Sequence, residues 1–149
     1  MKVVNYYFNA LMENVSALGS IFTHLLLLAV AFILNDAVFY PLLKGLILIY
    51  VIIVPIKIIL FRNRPKKMKY KQLWEKFEAS SFPSVHSARA IFLALVLSFR
   101  FSNAALSVLV ALVSAMVVYS RIHMKKHYWG DVIGGLLTGV VIYYLSIML

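Results

Sequence analysis

VIGGLLTGVVIYYLSIML, residues 132–149, is the stretch on which the fold class turns: its 18 residues include no charged side chain and no histidine. As a helix it would reach about 27 Å, close to the ~30 Å thickness of a bilayer core. Amides in lipid must bond within their own segment, and the run lacks the alternation of a barrel strand, so it reads as a transmembrane helix. Towards the N-terminus stand four more apolar runs, at 15–34, 37–61, 85–99 and 104–119. The first two are long enough to span; the other two reach spanning length with a polar turn at each end. The expectation is an all-α, polytopic membrane helix bundle with about five transmembrane helices, one membrane-embedded domain over residues 1–149. Pro55 should kink the second helix. Gly135 and Gly139, at GxxxG spacing, permit close helix contact and read as small residues filling the bundle.

Composition agrees. The chain is 63% hydrophobic and 13% charged, with mean hydropathy +0.91. A small sphere has too much surface for so few polar groups, and the same figures exclude intrinsic disorder. Fifteen Lys and Arg against five Asp and Glu give a net charge of +10. In a membrane protein that excess points to cytoplasmic loops, anionic lipid headgroups or an anionic substrate. Nucleic acid is the weaker reading, because the basic residues interrupt apolar runs and form no soluble domain. With no cysteine, disulfides and thiolate metal sites are excluded.

Two stretches read as interfacial. In 2–15, Val4, Tyr7, Phe8, Leu11, Met12 and Val15 recur at helical spacing opposite Asn5, Asn9 and Glu13. In 66–77, Met68, Tyr70, Leu73, Trp74 and Phe77 alternate with Lys66, Lys67, Lys69, Lys71 and Lys76, which suits a basic amphipathic helix on a headgroup layer. The N-terminus shows no small-residue cleavage site and is not read as a cleaved signal peptide. Five spans place the N-terminus, 62–82 and 121–130 on one face, with 35–36, 100–103 and the C-terminus on the other.

The first face gathers the chemistry. Lys57 and Arg64 are two helical turns apart, and Pro65 ends the helix near Arg64. Ser84 is a candidate N-cap for the run that follows, which would aim free N–H groups and the positive dipole end at the basic loop. His86 falls in that helix's first turn. Asp131 lies four residues after His127, so its carboxylate can hold one ring nitrogen protonated and free the other as nucleophile or base. Cations at Lys57, Arg64 and Arg121, a helix N-terminus and two histidines suit phosphoryl transfer: cations neutralise phosphate oxygens, one histidine attacks and the other protonates the leaving oxygen. A metal site is a poorer reading, since Lys and Arg beside the histidines repel a cation. Arg89, one turn into the bundle from His86, should face the site or a carboxylate. His123 is a further titratable group beside these residues.

Together, Lys57-x6-Arg64-Pro65, Pro83-Ser84-Val85-His86 and Ser120-Arg121-x5-His127-x3-Asp131 resemble the tripartite signature of the type 2 phosphatidate phosphatase superfamily. That group includes lipid phosphate phosphatases, isoprenyl-diphosphate phosphatases, soluble acid phosphatases and vanadium haloperoxidases. The resemblance implies His127 as nucleophile forming a phosphohistidine, Asp131 as its orienter and His86 as proton donor to the leaving group. It implies phosphate-holding roles for Lys57, Arg64, Arg121, Ser84 and the Val85 N–H, with no metal and no cofactor. The implied activity is metal-independent hydrolysis of a lipid-linked phosphate or diphosphate: polyprenyl diphosphate, phosphatidate or phosphatidylglycerol phosphate. A sugar phosphatase, a phosphotransferase using the same histidine and a non-catalytic phosphate- or lipid-binding protein stay open. The implied partners are a phosphorylated lipid and membrane lipids; the oligomeric state is not legible. Val85 stands where the family usually has glycine, and the first of the family's usual six spans is missing or reduced to 2–15. The family's lipid phosphatases work mostly on the extracytoplasmic side of the cell membrane, whereas the basic loop 62–76 argues for the cytoplasm by the positive-inside rule.

Overall fold

The computed structural model describes residues 2–66 and 68–149. Seven helices follow in order: α1 Lys2–Ala17, α2 Ile21–Ile33, α3 Phe39–Ile59, α4 Leu73–Ala79, α5 Val85–Phe101, α6 Ala104–His123 and α7 Trp129–Met148. The described residues form no strand, only an isolated bridge between Asn63 and Ser80.

The bundle is organised around α5, which packs against α7, α6 and α3. Ala88, Phe92, Leu93 and Val96 of α5 meet Leu42, Ile49 and Ile53 of α3 and Ile142 and Tyr143 of α7. Helix α2 joins through His24, whose ring nitrogen Nε2 donates to the Leu42 carbonyl at 2.9 Å and whose ring stacks on Phe92. Capping follows the sequence at two starts: Ser84 Oγ accepts from the Ser87 N–H at the head of α5, and Asn103 Oδ1 from the Leu106 N–H at the head of α6. Helix α3 runs on through Pro55. Ile133, Leu137, Val141 and Tyr144 form an exposed apolar row on α7, opposite its buried side. A row of that kind belongs against lipid tails.

The span count differs from the expected five. Helices α3, α6 and α7 are long and apolar enough to cross a membrane, and α1 with α2 makes a fourth only as one span bent by 45°. The run 15–34 does not form one straight helix, because the chain turns at Leu18–Ser20 and α2 keeps 13 residues. At 1.5 Å per residue, α2 alone reaches about 20 Å, short of the bilayer core. Helix α5, at 17 residues, is shorter than these spans; being enclosed by other helices, it has no need of a lipid-facing apolar surface. Helix α1 lies along the end of α6, with Asn9 bonded to His123 at 2.8 Å.

The amphipathic helix expected over 66–77 is shorter. It starts at Leu73, and Lys66, Lys69 and Lys71 lie in irregular chain; Lys67 falls outside the described residues. Like charges at helical spacing repel, and Glu75 accepts from the Gln72 N–H at 3.1 Å, which sets the helix start there.

At Gly135 and Gly139 the backbone of α5 lies against α7: a Cβ would run into the Ser84 carbonyl at the first and the Ala88 carbonyl at the second. Neither obstacle is a flexible side chain. Gly139→Val is therefore expected to cost at least about 1–3 kcal/mol, read as a lowered unfolding temperature in detergent. An unchanged melting curve would contradict the close α5–α7 contact.

Candidate active site

Three connections converge at one end of the bundle. The loop after α3 meets the α6–α7 turn through the Lys66 N–H on the Lys125 carbonyl at 3.2 Å, and through Arg62 on Asp131 at 3.0 Å. The opposite end is joined by Arg100, whose guanidinium grips both Asp36 oxygens at 2.8 Å. Residues 62–66 and 121–131 thus meet at one end, and Asp36 and Arg100 meet each other.

At the first end lies a cavity of about 320 Å³. Lys57 from α3, Arg64 from the loop, Val85, His86 and Arg89 from α5, Arg121 from α6 and His127 from the α6–α7 turn all line it. Glu78 is the sole acidic residue in that lining. Four cations facing one carboxylate make a strongly anion-seeking cavity. Among the described residues no three His, Cys, Asp or Glu side chains gather as metal ligands.

Two of these cations are anchored by neighbours at the same end. Lys57 Nζ donates to the Ser80 carbonyl, and Arg121 donates from one terminal nitrogen to Ser16 Oγ at 2.6 Å. The Nε atoms of Arg64, Arg89 and Arg121 are buried and have no hydrogen-bond partner among the described residues. Arg64 loses some basicity to burial, against the pull of Glu78 and Asp131. The N–H groups of Val85 and His86 open α5 and make no hydrogen bond within the described protein. They are the free donors of a helix N-terminus.

His127 is buried, and its Nδ1 lies 2.8 Å from the Ser81 carbonyl. A carbonyl only accepts, so Nδ1 carries the proton and Nε2 keeps its lone pair. Burial depresses the imidazole basicity, and Arg121, Arg64 and Lys57 depress it further, the Ser81 bond opposing them. The ring is therefore neutral at physiological pH.

Asp131 does not do what the spacing suggested. Its nearer oxygen is 3.9 Å from His127 Nδ1, beyond hydrogen-bond range. The carboxylate instead accepts from Arg62 and, at 2.8 Å, from the Tyr128 N–H at the start of α7. A residue four before Asp131 is already outside α7, so helical spacing does not apply to the pair. Ser84 is a second correction. Its hydroxyl bonds Ser87 Oγ at 3.0 Å and caps α5, and it does not line the cavity. Val85, at the position where glycine is usual, is the first residue of α5 and is not among the positive-φ residues, so the valine there carries no backbone strain. Arg89 faces the cavity as expected, but no carboxylate meets it; it bonds the Gly19 carbonyl at 3.1 Å and Tyr50 Oη at 3.2 Å.

Ser81, Arg62, Tyr50 and Glu78 were not singled out by the sequence. Ser81 acts through its carbonyl, which every residue has, so no side-chain pattern reveals it. Arg62 was one basic residue among many in its loop, and only its stacking over Tyr128 and its bond to Asp131 set it apart.

Comparison with known proteins agrees with this geometry. No curated protein sequence matches the chain. The crystal structure of Aquifex aeolicus LpxE superposes with a TM-score of 0.81 at 24% identity, over 96% of this chain and 87% of that one. The first transmembrane PAP2 type phosphatidylglycerolphosphate phosphatase from Bacillus subtilis gives a TM-score of 0.69 at 20% identity, over 95% of this chain and 76% of that one. The PAP2 superfamily profile matches residues 38–149, which takes in Lys57, Arg64, His86, Arg121, His127 and Asp131. With the motif residues drawn around one cationic cavity and the profile covering most of its length, the chain belongs to the PAP2 superfamily, that of the type 2 phosphatidate phosphatases.

Proposed function

We propose that the protein is an integral-membrane phosphatase that removes phosphate from a lipid-linked phosphate or diphosphate through a phosphohistidine on His127. The observation that carries this reading is the neutral, buried His127 facing a cavity that Lys57, Arg64 and Arg121 line, with His86 on the same wall. Nε2 attacks phosphorus while the cations and the Val85 and His86 N–H groups take the non-bridging oxygens. The phosphorus–oxygen bond to the leaving group breaks, its electron pair stays on that oxygen, and His86 supplies the proton. Water, giving its proton back to His86, then attacks phosphorus; the Nε2–phosphorus bond breaks and phosphate leaves. The Ser81 carbonyl holds the ring throughout, and Asp131 acts through Arg62 and the α7 start. Family membership and the phosphatidylglycerolphosphate phosphatase neighbour support a lipid substrate. So do Ile21, Phe22, Met68 and Phe77, the apolar part of the cavity lining.

The test is phosphate release by purified protein in detergent with EDTA, from a polyprenyl diphosphate, phosphatidate, phosphatidylglycerol phosphate and glucose 6-phosphate. Release from a lipid is expected; release from glucose 6-phosphate alone, or from none, overturns the reading.

The cavity opens, in this reading, on the extracytoplasmic face of the cell membrane, and the exposed Lys69 and Lys71 serve anionic lipid rather than topology. The chain has no cysteine, so Lys71→Cys gives one labelling site. A membrane-impermeant maleimide is expected to label it in intact cells. Labelling only after the cells are opened would put the site in the cytoplasm.

A further inference from the structure

We propose that Arg89 and Tyr50 form a second anion subsite beside His86, which selects lipids whose leaving group is itself anionic, a diphosphate above all. This rests on the phosphatase reading and narrows its substrate class.

Arg89 is 2% exposed, and its side chain lines the cavity. Its bonds go to the Gly19 carbonyl and the Tyr50 hydroxyl, and its Nε has none. Among the described residues no carboxylate bonds it: Asp36 is held by Arg100, Asp131 by Arg62, Glu75 caps α4, and neither Glu13 nor Glu78, which lines the same cavity, makes an ion pair with it. A guanidinium does not shed its proton, so burying one without a counter-ion is costly. The cavity is where that counter-ion would sit.

Position gives the counter-ion its identity. Arg89 follows His86 by three residues on one face of α5, about 4.5 Å further into the bundle. Tyr50 precedes Lys57 by two turns on one face of α3, so it too lies deeper than the phosphate-holding cations. Phosphorus under attack lies at His127 and the leaving oxygen at His86; the next group of the substrate then reaches Arg89. In a monophosphate ester that group is a neutral carbon chain against a bare guanidinium. In a diphosphate it is a second phosphate, which pairs with the guanidinium of Arg89 and takes the hydroxyl proton of Tyr50. Beyond them stand Ile21 and Phe22, the latter 79% exposed, where a lipid tail leaves towards the bilayer. Attack at the outer phosphorus breaks its bond to the bridging oxygen. That oxygen leaves with the electron pair, takes the His86 proton and departs as part of a lipid monophosphate.

The experiment compares dodecyl diphosphate with dodecyl monophosphate, which share one tail, on the full-length protein in detergent. The readout is the ratio of kcat/KM for the two, in wild type, Arg89→Gln and Tyr50→Phe. The ratio is expected to fall tenfold or more in Arg89→Gln and to move the same way in Tyr50→Phe. A ratio within tenfold of wild type in Arg89→Gln overturns the subsite, since a merely structural arginine lowers both rates together. Should Arg89→Gln not fold, the uncharged Arg89→Met stands in for it, the same tenfold threshold deciding. Should wild type hydrolyse neither lipid, the phosphatase reading fails and the subsite is judged by binding. Tenfold tighter binding of the diphosphate, lost in the variant, then upholds it, and equal binding overturns it.

Discussion

Replacing His127 by alanine is expected to lower phosphate release from the preferred lipid by about four orders of magnitude or more, the scale on which removing a covalent nucleophile acts. That corresponds to about 5.5 kcal/mol of barrier. The loss should exceed that of any cation, because in the proposed mechanism the substitution removes the atom to which the phosphoryl group is transferred. Its specific mark is the intermediate. Wild type quenched during turnover of a labelled lipid phosphate should carry label that is lost in acid and kept in alkali, as a phosphoramidate is, and His127→Ala should carry none. The Ser81 carbonyl loses its partner in the variant, so folding is to be checked by the melting curve. A folded variant that keeps even a tenth of the activity would remove His127 from the chemistry.

Arg121→Gln should be the next largest loss, about 100- to 1,000-fold in kcat, the range for deleting one donor aimed at developing charge. Arg121 lines the cavity and has a terminal nitrogen fixed by Ser16, so its fork is already oriented. Lysine at this position should recover only part of the rate, since a point charge does not replace a planar fork. The pH dependence offers an independent readout. His127 is lowered from 6.5 to about 2, with Arg121 the largest contribution after burial. A histidine lowered on folding is neutral in the native chain and protonated in the unfolded one between those values. Its contribution to stability is present in full above 6.5 and is lost as pH falls from 6.5 towards about 2. Removing the Arg121 charge raises the native value and so narrows that window from below. The acid limb that His127 imposes on kcat/KM should therefore move to higher pH in Arg121→Gln. A limb that stays put, or moves to lower pH, would show that Arg121 does not act on the imidazole.

What could be read in advance depended on whether the signal lay in side-chain pattern. Lys57, Arg64, His86, Arg121 and His127 line one cavity, as their places at the ends of apolar runs indicated. Ser84 and Asp131 were picked out by the same motifs and are buried at the same end, but their bonds go to Ser87, Arg62 and the Tyr128 N–H instead of into the cavity. A motif records which residues come together; it does not record which atom turns towards which. The basic residues at 66–71 looked helical by pattern, yet mutual repulsion and the Glu75 cap left them outside α4.

The sequence by itself determined the class: a helical membrane bundle, forced by apolar runs whose amides have no partner but their own segment in lipid. It also indicated which cations and histidines gather at one end, because charged groups are costly in a bilayer and cluster at the ends of apolar runs. Only the tertiary structure decided three matters. The run 15–34 turns at Gly19, where α1 ends against α5 and α6. The Ser81 carbonyl, not the Asp131 carboxylate, orients His127. Arg89 is left facing the cavity with no carboxylate partner. Each turns on a backbone atom or a contact between distant segments, and such contacts exist only once packing has set the distances.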